Sequence, residues 1–315
     1  MRLPKMLLVV LVALAAGFVF SGCQDADDVT HPGTGTVTQA SPEFMSALAK
    51  AIESEDDAIT KGSQSPQSSS GGGHNRITGP TVITSPGYYY VANDFSASGD
   101  GIVIQSDWVW LDLGDRTITG PGNKAGRGIV LDGVEHVLVS GGDLEMFGIG
   151  VALLGTSKSC ARRVDVDGGD EFADPAAGNP PQIGILLVNS YRNSIRRNEL
   201  EGVNLGIFVR GGGSFENRIA HNSVVGGDNG LLGICYNPAM GEGPAGPQRD
   251  VVKANFLCGF GGGIQTSAES VENRFRFNTI RYYGFAYEDF NGSNVFSDND
   301  TEQIATAADC NEDDD

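Results

Sequence analysis

Residues 193–200 read NSIRRNEL, 217–224 read NRIAHNSV and 273–280 read NRFRFNTI. Each places two asparagines five apart, with apolar residues between and after them. A second marker runs alongside, a glycine followed by alternating apolar residues. It recurs as GIVIQ (101–105), GIVLD (128–132), GVALL (150–154), GILLV (184–188), GIFVR (206–210), GICYN (233–237), GIQTS (263–267) and GFAYE (284–288). The glycine-to-glycine steps are 27, 22, 34, 22, 27, 30 and 21 residues. A unit near 22 residues with insertions produces this series, and a recurring period of that size is the signature of a solenoid.

Set in register, the residue after each glycine is Ile102, Ile129, Val151, Ile185, Ile207, Ile234, Ile264 and Phe285. Two positions on stand Ile104, Leu131, Leu153, Leu187, Val209, Tyr236, Thr266 and Tyr287. Alternation puts both columns on one face of a strand. Strands this short bury little alone. Stacked at ~4.8 Å they make continuous aliphatic ladders around a shared interior. A sandwich gives no reason for the same residue types to return at one phase in every segment.

The later asparagine of the other motif recurs as Asn198, Asn222, Asn255, Asn278 and Asn299, with Gly142 in that slot of VLVSGGDL (137–144). Gly and Asn best tolerate left-handed backbone. The slot is therefore expected to be a left-handed corner between strands, with the amides hydrogen-bonded along the stack. The earlier column, Asn193, Asn217, Asp250, Asn273 and Asn294, is a second run of turn formers. Both columns are expected to be structural, not ligand-binding.

This spacing resembles the right-handed parallel β-helix of the pectin-lyase-like superfamily, and more narrowly the short repeats of carbohydrate-binding and sugar-hydrolase β-helix domains. ITSPGYYYVANDF (83–95) with GIVIQSDWVWLDLGDRTITGPG (101–122) is similar to the opening coils of many bacterial members. The resemblance covers roughly 77–305. It implies an all-β, single-stranded right-handed parallel β-helix of about eight coils. It implies no single activity, because the fold hosts lyases, hydrolases, epimerases, adhesins and spacers.

The chain opens MRLPKMLLVVLVALAAGFVFSGCQ, with Arg2 and Lys5 before an apolar run from Met6 to Phe20. That run is shorter than the ~20 residues of a membrane span and has the form of a secretory signal over 1–22. Phe20-Ser21-Gly22-Cys23 resembles the lipobox of bacterial lipoproteins, which implies lipidation of Cys23 and a place in the cell envelope. Gln24 is not the aspartate that marks inner-membrane retention, which fits an outer-membrane destination. Residues 23–76 are expected to be a spacer. It holds a short helix over 42–56, in which Phe44, Leu48 and Ile52 share a face, and the Ser/Gly-rich linker KGSQSPQSSSGGGHN (61–75). The β-helix occupies 77–305, and 306–315 form an acidic tail.

The chain carries 21 basic and 40 acidic residues, and without Arg2 and Lys5 the mature balance is 19 − 40 = −21. Such a surface repels phosphate backbones, so nucleic acid is excluded as a partner. Besides Cys23 there are Cys160, Cys235, Cys258 and Cys310, enough for two disulfides in any of three pairings. No cysteine spacing suits zinc.

Two insertions break the period, 165–182 before GILLV and 237–249 after GICYN. They flank one strand column and are expected to wall a groove over 184–237. Leu186, Phe208, Arg210, Cys235 and Asn237 point outward there. Phe208 offers an apolar platform, Arg210 a bidentate carboxylate binder, and Asn237 an amide for a sugar. Asp170, Glu171 and Asp174 would stand above them, which makes these three and Arg210 the catalytic candidates. Asp165, Asp167 and Asp170 form a loose acidic cluster that suits calcium. Arginine with carboxylates points to an extended acidic polysaccharide as the partner. A polysaccharide lyase or glycoside hydrolase is one alternative and a non-catalytic adhesive module is another. Familiar catalytic patterns of the superfamily are missing: no histidine follows Asp112 in WLDL (110–113), and Asp174-Pro175 lacks a following His-Asp.

Overall fold

The computed structural model describes Met45, Leu48, Ile52 and residues 74–122, 125–169, 181–227, 230–237, 246–290, 292–305 and 310. Among them, 24 strands join in one sheet, and the pairings are parallel throughout, rung on rung. The sheet winds into a coil with three faces.

The first face carries Thr81–Ile83, Ile102–Ile104, Arg127–Asp132, Ile149–Leu154, Ile183–Val188, Leu205–Arg210 and Leu232–Asn237. It ends with the later halves of Phe256–Thr266 and Thr279–Asp289. The second face includes Gly87–Val91, Cys160–Arg162, Ser194–Arg196, Arg218–Ala220, Val251–Lys253 and Arg274–Arg276. The third includes the end of Leu138–Glu145, then Asp165–Asp167, Glu199–Val203, Ser223–Gly226 and Asp300–Gln303. The chain visits first, second and third face in turn, then climbs one rung. The protein is thus a parallel β-helix. It has one more coil than the eight glycine markers, because the rung at Thr81–Ile83 follows Pro80 and carries no marker.

The expected ladders line the interior. Ile102, Ile129, Val151, Ile185, Ile207, Ile234 and Ile264 are buried in one cluster with Ile104, Leu131, Leu153, Leu187, Val209 and Tyr236. Tyr287, in the last first-face rung, is 48% exposed, since no rung covers it among the described residues. The marker glycines have a steric origin. A methyl at Gly128, Gly150, Gly184 or Gly233 would lie 2.7–2.9 Å from the carbonyl of the next glycine in the column. Backbones pass too closely there for any side chain.

The asparagine corners differ from expectation by one residue. The left-handed positions are Arg197, His221, Ala254, Phe277 and Asp298, each immediately before its asparagine. Gly142, in the older slot, is itself left-handed at φ 74°. The asparagines instead supply the ladder. Asn198 N donates to Asn222 Oδ1 (3.1 Å), Asn222 N to Asn255 Oδ1 (3.0 Å) and Asn255 N to Asn278 Oδ1 (3.0 Å). Each amide nitrogen also donates to a strand carbonyl, as Asn222 Nδ2 does to Ile195 O at 3.0 Å. A left-handed non-glycine residue costs roughly 1–2 kcal/mol. The buried amide bonds beside it offset that cost.

Of the two disulfides that the cysteines could form, one is present among the described residues, Cys258–Cys310, with Cα atoms 5.8 Å apart. Cys160 and Cys235 are free and buried on the outsides of different faces, too far apart in the fold to pair. Met45, Leu48 and Ile52 are helical. Leu48 and Ile52 pack on the outside of the second face against Trp110, Leu138 and Cys160, and Arg196 Nη2 donates to the Ile52 carbonyl at 3.3 Å. The leader, Cys23 and the rest of the spacer lie outside the described residues.

Candidate functional site

The inward residues of a β-helix are dictated by its core, so any site must come from outward columns and loops. The expected groove on the first face does not present an open platform. Phe208 stands in register between Leu186 and Cys235, and all three are only 6% exposed, packed with Ile183 and Leu205. Arg210 lies half-buried at the end of its strand, between Val188 and Asn237. Asp170, Glu171 and Asp174 fall outside the described residues, as does most of both insertions.

The third face carries a more ordered arrangement. Asp143, Asp165 and Glu199 stack in one outward column, and Glu145, Asp167 and Glu201 stack in the next. With Val166 they line a shallow depression of about 250 Å³. Burial, followed by the charges of Glu199, Asp143 and Glu201, pushes the Asp165 carboxyl up to about 6. Burial and then Glu199 and Asp167 raise Glu201 as well. Six acids are thus held side by side at rung spacing. Among the described residues no three of them converge as a metal cage, because columns on a flat face project side by side. Asp165 and Asp167 stand on this shelf, and Asp170, the third member of the expected calcium cluster, lies outside the described residues. The signal for the shelf lay in DLE (143–145), DVD (165–167) and ELE (199–201), acid–apolar–acid triplets at one phase in three successive coils.

The second face is the opposite in charge. Its strands and left-handed corners read CARR (160–163), SIRR (194–197), RIAH (218–221), VVKA (251–254) and RFRF (274–277), five successive rungs with no carboxylate among them. One outward column runs Arg162, Arg196, Ala220, Lys253, Arg276, and its neighbour runs Ser194, Arg218, Val251, Arg274. Arg162 and Arg196 are buried, Arg196 against the Ile52 carbonyl, whereas Arg274 and Arg276 are exposed. Arg276 lies 6.0 Å from the ring centre of Phe277, which is 56% exposed. At the other end of this face His74, Tyr88, Tyr90 and Asp112 line a depression of about 350 Å³, with Tyr88 Oη donating to Asp112 Oδ2 at 2.8 Å. Attention to the asparagines of NSIRRNEL hides the arginines between them. Alignment of the coils brings those arginines into a stripe.

The fold and its outer faces define a parallel solenoid with one cationic and one anionic flank. No family model and no curated protein matches the sequence. Among solved structures the chain is similar to the Dettilon tailspike protein (gp208), with a TM-score of 0.44 and 14% identity over 71% of this chain. The chain spans 56% of the length of that protein.

Proposed function

We propose that this protein is an extracytoplasmic β-helix, held to a bacterial envelope membrane by lipid on Cys23, that binds an extended acidic polysaccharide along its second face. The observation that carries the reading is the in-register stack of cations ending in Lys253, Arg274 and Arg276. Rungs recur at ~4.8 Å, close to the length of one sugar unit in an extended chain. Successive uronates can therefore meet successive rungs. An arginine fork takes a carboxylate with two hydrogen bonds, and the exposed Phe277 ring suits the apolar side of a pyranose. The chain as a whole is acidic, at −19, which confines a polyanion to this stripe and disfavours non-specific binding elsewhere. Similarity of 83–122 to the pectin-lyase-like superfamily is in keeping with a glycan ligand.

Affinity electrophoresis through polygalacturonate, alginate or neutral dextran, with and without calcium, tests the reading. Uronate polymers are expected to retard the protein and dextran to leave it unchanged. Added salt should weaken the effect. Removing three charge contacts of roughly 0.5–1 kcal/mol each in K253Q/R274Q/R276Q should raise Kd about tenfold or more. No retardation by any uronate polymer, or equal retardation of the variant, defeats the proposal.

The carboxylate shelf supports a second reading, glycoside hydrolysis. Outward carboxylates on adjacent rungs are spaced near the roughly 5–5.5 Å of retaining enzymes, and diagonal pairs fall nearer the longer inverting range. Asp165, proton-bearing up to about pH 6, is then the acid. Reducing ends released in the same incubations, and lost in Asp165→Asn, would distinguish this activity from binding alone.

A further inference from the structure

The ladder at the turn between first and second faces contains one residue that does not match its neighbours. Asn193, Asn217, Asn273 and Asn294 surround Asp250. At every asparagine the side chain plays two parts. Oδ1 accepts the backbone N–H of the previous rung, as Asn217 Oδ1 does from Asn193 N at 3.0 Å. Nδ2 donates to a carbonyl of the preceding turn: Asn193 to Thr156, Asn217 to Ser190, Asn273 to Pro247 and Asn294 to Ser270, at 2.8–3.1 Å. Nδ2 also donates to the next Oδ1, as from Asn273 to Asn294 at 3.0 Å.

Asp250 fulfils the accepting half. Its Oδ1 takes Asn217 N at 2.7 Å and Asn217 Nδ2 at 3.3 Å. The donating half falls to Oδ2, which is fully buried and has no hydrogen-bond partner. By the pattern of the repeat, the groups that face Oδ2 there are two acceptors, the Ser214 carbonyl, which takes Gln248 N at 3.1 Å, and Asn273 Oδ1. Asn273 Oδ1 already accepts Asp250 N at 2.9 Å. An ionised carboxylate would set acceptor against acceptor in a dry corner, whereas a protonated one donates as an amide does.

We propose that Asp250 is carried in the folded coil as the neutral carboxylic acid, a protonated rung that substitutes for asparagine and makes this part of the solenoid weaken as pH rises. The groups around Asp250 pull in both directions. Glu216 on the preceding rung opposes ionisation of Asp250 and is itself held by Arg192 and Arg249 at 2.8 and 3.3 Å. The buried Tyr236 hydroxyl, from the first face, is near enough to favour the charged form, yet it makes no hydrogen bond of proper geometry with the carboxylate. Burial is the largest influence and pushes Asp250 up to about 7, against the two Asn217 hydrogen bonds and the Tyr236 hydroxyl, all of which favour the charged form.

The sign follows from a folded value above the unfolded one. The contribution is complete below about pH 4, falls as pH rises, and is exhausted above about pH 7. The device is independent of any ligand. It is tested by urea unfolding of the full mature chain and its Asp250→Asn variant between pH 4 and pH 8. The ratio of their unfolding constants should change by roughly a hundred- to a thousandfold across that range, because each pKa unit of difference is tenfold. The asparagine form should be the more stable at pH 8. A ratio independent of pH, or an asparagine form less stable at pH 8, overturns the proposal. A second measurement needs no change at position 250. In an Asp165→Asn/Glu201→Gln background, infrared spectra should retain a protonated carboxyl band at pH 6 that disappears by about pH 8. Complete ionisation by pH 6 overturns the proposal equally.

Discussion

The second and third faces are built alike and charged oppositely. Both present short parallel strands stacked rung on rung, both send alternate residues into the same core, and the ladder of Asn198, Asn222, Asn255 and Asn278 joins them. Outside, one shows CARR, SIRR and RFRF, and the other shows DLE, DVD and ELE. The frame therefore does not choose the chemistry of its surface. Stacking amplifies whatever the outward column holds, since a like charge at one phase meets another ~4.8 Å away on the next rung. On the second face the charge sits on long arginines, buried at Arg162 and Arg196 and solvent-reaching at Arg274 and Arg276. On the third it is crowded onto short carboxylates that respond by holding protons.

If the shared corner is what makes the two faces equivalent, breaking it should have the largest effect. Asn222→Ala removes the acceptor of Asn198 N and Nδ2 and the donor to Ile195 O. It orphans buried backbone groups on both sides of the corner at about 1–3 kcal/mol each. We expect a loss of about 3 kcal/mol in denaturant unfolding, with both faces affected together. A loss under about 1 kcal/mol would mean that each face is held by its own strands and core.

The frame was legible because it repeats. Eight glycine markers and two asparagine columns carry the same demand from coil to coil, and the close approach at Gly128, Gly150 and Gly184 shows why nothing else fits. Assignment of left-handed φ to the asparagines missed by one residue, because tolerance of a conformation is weaker evidence than the hydrogen bonds an amide makes. The site was less legible. Phe208 and Leu186 alternate outward as any exposed pair would, and only packing shows that they are buried. Charges on different rungs are 22 to 34 residues apart in sequence, so Glu199 and Asp165, or Lys253 and Arg276, become neighbours only after the coils are aligned.

The crowded carboxylates give the next effect. Asp165 has a folded value raised to about 6, so its contribution to stability is fully present below about pH 4 and is lost as pH rises through 6. Asp165→Asn should therefore raise stability at pH 8 and not at pH 4. The shelf is open to solvent, which screens the repulsion, so the gain should stay near or under about 1 kcal/mol. Thermal unfolding at the two pH values measures it. Equal shifts at both would show that the carboxylates do not repel one another in the folded state.

The second face should give the smallest change in stability although it carries the proposed ligand. Arg274 and Arg276 are exposed, their neighbours across the rungs are Val251, Lys253, Val295 and Ser297, and none of these is a carboxylate. Replacing Lys253, Arg274 and Arg276 with glutamine relieves some mutual repulsion and removes little packing apart from the contact of Arg276 with Phe277. Unfolding free energy should stay within about 0.5 kcal/mol of the parent per substitution. Near-parental stability combined with lost retardation in uronate gels would locate binding in the outward columns and not in the frame. A fall of several kcal/mol would mean that the stripe is part of the structure, clamped by an acidic segment of the same chain, and would remove it as a glycan surface.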